Sequence, residues 1–143
     1  MGNDLIDKMF ETHQAAITAR LDELFIACAA RDFGRLSALH LAGPKFSKFD
    51  DVEPFDRQGA EVAMRSETEQ LSALQDVDCQ MDDVKVDVFG EVAVVTGIWT
   101  TTYRLDDEPG RSCSRSTLVF VNDGGDWLIA HEHHSPRTPS TKI

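Results

Sequence analysis

The chain has 143 residues, of which 41% are hydrophobic and 27% are charged, as expected for one globular domain with its own core. Its formal net charge of −11 argues against nucleic acids and anionic membranes as partners, because both attract clustered positive charge. The scattered cysteines, with no secretion signal or membrane-spanning apolar stretch, predict a cytoplasmic protein with a single domain over residues 1–143.

The first half of the chain has the apolar spacing of helices. A long helix is predicted from about residue 7 to residue 31, because its apolar residues recur every three or four positions. Its buried stripe includes Ile17, Leu21, Leu24 and Cys28. A short helix at about 33–40, a short strand at 46–49 and a third helix at about 57–74 are predicted to follow.

The second half changes to the two-residue period of strands. Its first strand has apolar residues on odd positions up to Met81 and on even positions from Val84, so a β-bulge or kink is predicted at Asp82-Asp83. Three further strands are predicted over residues 92–105, 111–122 and 127–135. Helices followed by antiparallel strands joined by short turns predict an α+β domain.

Three strand segments are apolar on both faces, at residues 92–95, 118–121 and 127–130. The helices can cover only one face of the sheet, so the other face is expected to pack against a second copy of the chain. We therefore predict a homodimer through the sheet, with contacts from Val94, Leu118, Phe120 and Leu128.

The final strand contains the strongest indication of a ligand site. Residues on its odd positions are predicted to share one face, which changes from apolar to polar: Trp127, Ile129, His131, His133 and Ser135. Glu132 and His134 would then point away from that face. Such a strand would pack against the core with its first half and line a pocket with its second half.

The preceding hairpin can take two registers. A three-residue loop at 123–125 would place Thr117 opposite His131 and Arg115 opposite His133. A two-residue Gly124-Gly125 turn would shift the register by one and replace those residues with Leu118 and Ser116. We favour the first register, because it groups the arginine with the histidines at the polar end of the sheet.

A set of short motifs runs along nearly the whole chain: Gly43-Pro44-x-Phe46-Ser47-x-Phe49, Asp51-x-x-Pro54-x-x-Arg57, Arg115-x-Thr117 and the run from Trp127 to Ser135. With these motifs the chain resembles the nuclear transport factor 2-like superfamily and, within it, the SnoaL-like group. It is also similar to the association domain of calcium/calmodulin-dependent protein kinase II, whose last strand carries a comparable run. The resemblance implies a cone-shaped, curved antiparallel sheet wrapped around three N-terminal helices, with a cavity at its open end. It implies no single activity, because one fold can host many functions.

We therefore predict a small-molecule-binding domain whose cavity is lined by the His-x-His strand. Its polar wall is predicted to contain Arg115, Thr117, His131 and His133. Trp99 and Tyr103 are predicted to supply the apolar lining, together with the helix stripe around Ile17 and Leu21. The predicted ligand is a small organic acid, with its carboxylate bonded to Arg115 and to a histidine N–H.

An alternative is an acid–base enzyme, such as an isomerase, a dehydratase or a cyclase. His131 or His133 would transfer the proton and a carboxylate such as Asp50 would pair with it. In a further alternative, the histidines only bond to their neighbours or to water. A zinc or iron site would need a third ligand, and the candidates in the sequence are distant, so neither a metal nor another cofactor is predicted.

Overall fold

A computed structural model describes residues 2–137, with side chains from residue 11 onward. The described chain contains three helices and five strands, which confirms the predicted α+β class. In chain order they are α1 (Gly2–Ala30), α2 (Phe33–Leu39), β1 (Ser47–Phe49), α3 (Ala60–Ser72), β2 (Gln75–Phe89), β3 (Val92–Leu105), β4 (Glu108–Asp123) and β5 (Asp126–Pro136). No described helix is both long and apolar enough to span a bilayer.

The predicted stripe of α1 forms the centre of the core. All four of its residues are at most 4% exposed: Ile17, Leu21, Leu24 and Cys28. The next helix starts where the sequence offers a cap, since the Asp32 side chain accepts the backbone N–H of Arg35 at 3.1 Å. Both helices therefore form where local sequence and burial favour the same structure.

The strands form one curved sheet in the order β1-β5-β4-β3-β2. β2 to β5 pair antiparallel, as predicted, but β1 joins the edge of the sheet parallel to β5. The sheet is therefore mixed, and its parallel edge places Lys48 opposite Glu132. On the face covered by helices, the sheet contributes a buried layer that includes Ala93, Val95, Leu118, Phe120 and Ile129.

The predicted irregularity of β2 is confirmed. The pairing with β3 shifts between Asp82 and Lys85, and Asp83 has a left-handed backbone with a φ of 51°. Cys79 before the shift and Val86 after it are both buried, although one position is odd and the other even. The change of phase in the sequence therefore located this bulge.

The favoured register between β4 and β5 is wrong. Asp123 pairs with Asp126 across a two-residue turn, in which Gly124 and Gly125 have φ values of 62° and 104°. Positive φ at both central positions is typical of the tight turn that matches strand twist, and glycine adopts it without strain. The alternative turn is therefore the one that forms.

A second shift in this hairpin moves the register again. Phe120 pairs with Ile129, but Val119 pairs with His131, so Ala130 is an extra residue in β5. Beyond this bulge Thr117 pairs with His133 and Arg115 with Ser135. Neither predicted pair forms, because the shorter turn and the bulge each move the partner by one residue.

The bulge also reverses the faces of β5, since an extra residue sends every later side chain to the opposite side. Trp127 and Ile129 are buried on the helix-covered face, and after Ala130 it is Glu132 that is buried there. His133 is exposed on the other face. The prediction that Trp127 and His133 share a face is therefore wrong.

Two residues predicted for the dimer contact lie elsewhere. Leu118 and Phe120 are 0% and 1% exposed and belong to the core, so neither can contact a second copy. Val94 and Leu128 are partly exposed on the uncovered face of the sheet. These strand segments are apolar at both odd and even positions. Periodicity alone therefore did not show which of the two sets of residues faces the helices.

Candidate functional site

A cavity of about 400 Å³ lies between the helix-covered face of the sheet and the helices. Its apolar wall includes Leu71, Leu74, Trp99, Tyr103 and Leu105. Its polar wall includes Lys48, Asp50, Asp51, Glu132 and His134. A cavity of this size with an apolar side and a few convergent polar groups has the form of a small-molecule site.

Glu132 lies at the centre of a buried ion-pair network. Its Oε1 is 3.5 Å from His40 Nε2, and its Oε2 is 3.6 Å from Lys48 Nζ. The same ammonium lies 3.6 Å from Asp50 Oδ2. His40 Nδ1 donates to the carbonyl of Leu36 at 2.6 Å, which holds the ring in place. Pairing of this kind allows charged groups to remain inside a protein.

The network determines the protonation of its members. Burial opposes the charge on Glu132, but Lys48 and His40 outweigh it and hold the pKa of this carboxyl well below its usual range. Burial also opposes the charge on His40, yet the carboxylate of Glu132 raises the pKa of the imidazole to about 9. At neutral pH the site therefore contains the cations His40 and Lys48 and the anion Glu132.

His134 behaves differently from His40. Burial lowers its pKa, and the nearby carboxylates offset this only in part, so the imidazole is neutral at pH 7. Its Nδ1 lies 2.6 Å from Ser116 Oγ, and the ring stands edge-on to Trp99 with centroids 5.6 Å apart. His134 is therefore a neutral imidazole in the cavity wall.

Two adjacent carboxylates complete the polar wall. Asp50 Oδ1 accepts the backbone N–H of Asp51 at 2.8 Å, and the Ser114 hydroxyl donates to Asp51 Oδ2. Burial favours the neutral form of Asp50, but the charge of Lys48 outweighs it and lowers the pKa of this carboxyl. Asp50 is thus ionised beside a neutral histidine.

The predicted site residues are divided between the two faces of the sheet. Asp50, Trp99 and Tyr103 line the cavity. Arg115, Thr117 and His133 line a separate groove of about 370 Å³, together with Thr96 and Ser135. We call it the outer groove, because exposed His133 places it on the uncovered face of the sheet.

His131 lines neither the cavity nor the outer groove. Its Nδ1 is 2.9 Å from Ser47 Oγ, and its ring approaches Phe49. Ile17 and Leu21 are packed in the core, 0% and 4% exposed, and do not line the cavity. The prediction that these residues form one pocket is therefore wrong. Arg115 pairs with Ile98 and not with Trp99, so Trp99 and Arg115 lie on opposite faces of the sheet, and the bulge at Ala130 places His133 on the face of Arg115.

The sequence analysis missed the side chains that form the buried network and the histidine of the cavity: His40, Lys48, Glu132 and His134. The positions of Lys48, Glu132 and His134 depend on the parallel pairing of β1 with β5 and on the bulge in β5. Neither feature can be recognised in the local sequence. Among the described residues, no group of three or more His, Cys, Asp and Glu side chains is placed to bind a metal ion.

Comparison with known proteins gives a family and a fold. The chain matches the SnoaL-like domain over residues 17–139. No curated protein matches it. Among solved structures, it is similar to a proposed dehydratase of the NTF2-like family from Streptomyces avermitilis, with 20% identity, a TM-score of 0.81 and coverage of 90% of this chain and 99% of that one.

Two further solved structures have the same fold. One is an NTF2-like superfamily protein from Salmonella enterica, with 17% identity, a TM-score of 0.80 and coverage of 92% of this chain and 95% of that one. The other is the association domain of CaMKII from Caenorhabditis elegans, with 17% identity, a TM-score of 0.72 and coverage of 89% and 98%. The predicted superfamily and fold are confirmed.

The buried network predicts how stability depends on pH. Because the pKa of His40 is raised from 6.5 to about 9 on folding, its stabilising effect is complete below pH 6.5 and is lost as the pH rises through 9. The free energy of unfolding should fall by about 3 kcal/mol over this interval, since a tenfold difference in proton affinity is worth about 1.4 kcal/mol. Urea denaturation at several pH values measures it.

Glu132→Gln is the control for this dependence. The variant has no carboxylate to retain the proton on His40, so most of the pH slope should disappear. A wild-type free energy of unfolding that stays constant or rises between pH 6.5 and 9 would contradict the assignment.

Proposed function

The chain belongs to the SnoaL-like domain family, and we propose that its cavity binds a small organic molecule and catalyses a proton transfer on it. The supporting observation is the neutral imidazole of His134 in the same wall as the ionised carboxylate of Asp50. Neighbouring groups held in different protonation states are typical of acid–base sites. This proposal replaces His131 and His133 with His134 in the acid–base alternative.

His134 would act as the general base. If Nδ1–H donates to Ser116 Oγ, the lone pair of Nε2 is available to take a proton from the ligand. The imidazolium that forms would be stabilised by the charges of Glu132, Asp50 and Asp51, which already raise the proton affinity of the ring. The proton could then return to a different atom of the ligand.

The reaction class follows from this cycle. If the proton is removed from the carbon beside a carbonyl and delivered to a neighbouring hydroxyl, the hydroxyl leaves as water and the reaction is a dehydration. If the proton returns to another carbon, the reaction is an isomerisation. Trp99, Leu71 and Leu74 favour a ligand with an apolar carbon skeleton. The Streptomyces relative, named as a proposed dehydratase, is consistent with the first outcome.

Exchange of carbonyl-adjacent protons tests this proposal without knowledge of the natural substrate. Wild-type protein should accelerate the exchange of β-tetralone or cyclohexanone protons into deuterated water, followed by NMR. His134→Asn should lose about 10²- to 10⁴-fold of that rate, the usual contribution of a general base. His133→Asn should retain it, because His133 lies on the other face of the sheet.

A wild-type rate no greater than that of buffer for both ketones would exclude proton transfer on this carbonyl class. Equal losses in His134→Asn and His133→Asn would also contradict the proposal, since only one of these neighbours lines the cavity. Circular dichroism of both variants establishes that they are folded.

A second candidate function is the binding of a small organic acid in the outer groove. Arg115, Thr117 and His133 line this groove together, which supports the predicted carboxylate contact although its location has changed. The cavity suits such a ligand less well, because it presents Asp50, Asp51 and Glu132 against the single ammonium of Lys48. Like charges would disfavour a carboxylate there.

Arg115→Gln should weaken binding of benzoate or succinate by about tenfold or more, since a hydrogen bond to a charged group contributes about 1.5–3 kcal/mol. Isothermal titration calorimetry measures this loss. Arg111→Gln, an exposed arginine of the same strand outside the groove, should bind as wild type does. Undetectable binding to wild type, or equal weakening in both variants, would reject the outer groove as an acid site.

We also propose that the uncovered face of the sheet forms a homodimer. Its cross-strand pairs Val92–Val121, Val94–Val119 and Val121–Leu128 form an apolar patch beside the outer groove. These residues are partly exposed or exposed, whereas the alternate positions Ala93, Val95 and Leu118 are buried in the core. The similarity to an association domain supports assembly through this fold.

Val119→Lys should convert the dimer to a monomer, because two lysines would be buried in the apolar contact without partners. Light scattering coupled to size-exclusion chromatography measures the mass. Val62→Lys is the matched control, since Val62 is 40% exposed on α3, which is not part of the uncovered face of the sheet. A wild-type mass near 15.9 kDa at low micromolar concentration would reject the dimer.

A further inference from the structure

Two thiols lie side by side in the cavity wall, apart from the acid–base groups. Cys28 of α1 and Cys79 of β2 are 3% and 7% exposed, and both line the cavity. Neither is part of a disulfide. The two thiols are neighbours, and each affects the pKa of the other. The function proposed for His134 leaves this pair unused.

A chain of donors ends at the sulfur of Cys79. The indole N–H of Trp99 donates to Thr101 Oγ1 at 3.0 Å, and that oxygen lies 3.7 Å from Cys79 Sγ. Since the indole occupies the oxygen as acceptor, the hydroxyl hydrogen of Thr101 can point to the sulfur. Together with the neighbouring Cys28 thiol, this hydroxyl favours the thiolate form of Cys79.

The two cysteines therefore differ in acidity. The neighbouring Cys28 thiol lowers the pKa of the Cys79 thiol, although burial opposes this effect. Cys79 in turn raises the pKa of Cys28, and burial adds to the rise. One sulfur suited to attack and a neighbouring thiol suited to complete the reaction are the parts of a dithiol redox site.

We propose that Cys28 and Cys79 form a redox site that reduces a hydroperoxide entering the cavity. The Cys79 sulfur attacks the terminal peroxide oxygen, the O–O bond breaks, and the leaving oxygen takes a proton as water or as an alcohol. Cys28 then attacks the sulfur of the sulfenic acid, the S–O bond breaks, and the Cys28 proton leaves with that oxygen as water. The peroxide gains two electrons, and the two thiols become one disulfide.

The third cysteine is a control within the same chain. Ser112 and Ser114 line the cavity, so Cys113 between them points to the opposite face of the sheet. Its sulfur accepts a hydrogen bond from Thr100 at 3.8 Å and has no cysteine neighbour among the described contacts. Peroxide in the cavity should therefore leave this thiol unchanged.

The test is thiol counting on the reduced full chain after treatment with one equivalent of hydrogen peroxide or cumene hydroperoxide. Titration in denaturant should show a loss of two of the three thiols. A non-reducing digest should contain the peptide that joins Cys28 to Cys79, and dithiothreitol should restore all thiols. The oxidised protein should also melt about 4 °C or more above the reduced one, because the bond constrains the unfolded chain.

Variants distinguish the roles of the three thiols. Cys113→Ser should still lose two thiols. Cys28→Ala, which retains a small buried side chain, should accumulate a Cys79 sulfenic acid that dimedone traps. Cys79→Ala should retain both of its thiols.

Three retained thiols in wild-type protein, or oxidation of Cys113 as fast as that of Cys79, would overturn the redox site. A disulfide with another pairing would overturn it as well. None of these measurements depends on His134, so the redox site can fail while the proton-transfer proposal stands, and the reverse.

Discussion

The burial of Glu132 is the constraint on which the rest of the site depends. An isolated carboxylate inside a protein costs several kcal/mol, and only close cations make its burial tolerable. Lys48 and His40 supply them, and neither is on the same strand as Glu132. One comes from the parallel edge strand and the other from the end of α2, where His40 forms a bridge to Ile129. The carboxylate thus joins three segments that are distant in sequence.

The same network fixes the charges around the cavity. Lys48 is shared between Glu132 and Asp50, so neither carboxylate has an ammonium of its own. Two residues beyond Glu132, the strand period returns His134 to the cavity face, where it lines the wall with Asp50. His134 is therefore surrounded by several carboxylates and by the ammonium of Lys48. Because burial lowers its pKa by more than the carboxylates raise it, the imidazole is neutral. Glu132, which anchors the ion pairs, and His134, which is proposed for the chemistry, therefore occupy alternate positions of one strand.

The sequence predicted one of two bulges in the sheet, the one in β2, but not the one in β5. In β2 the apolar residues change phase, from Cys79 on an odd position to Val86 on an even one, and the bulge was visible. After Ala130 in β5 the residues are polar at both parities, so no change of phase could appear. Burial of a charged residue there is a tertiary effect, because it depends on Lys48, which no local pattern relates to Glu132. The fold class and the strands followed from periodicity, whereas the identity of the inward histidine did not.

The two errors in the β4–β5 hairpin explain why part of the predicted site survived. The shorter turn moved the register by one residue and the bulge by one more, so the parity of the pairing was restored. Arg115, Thr117 and His133 therefore still share a face, as the outer groove shows. The bulge lies within β5, however, and the face that Trp127 occupies is no longer the face of His133. One inserted residue thus presents His134 to the cavity and His133 to the outer groove, and this gives a single strand polar groups for two separate sites.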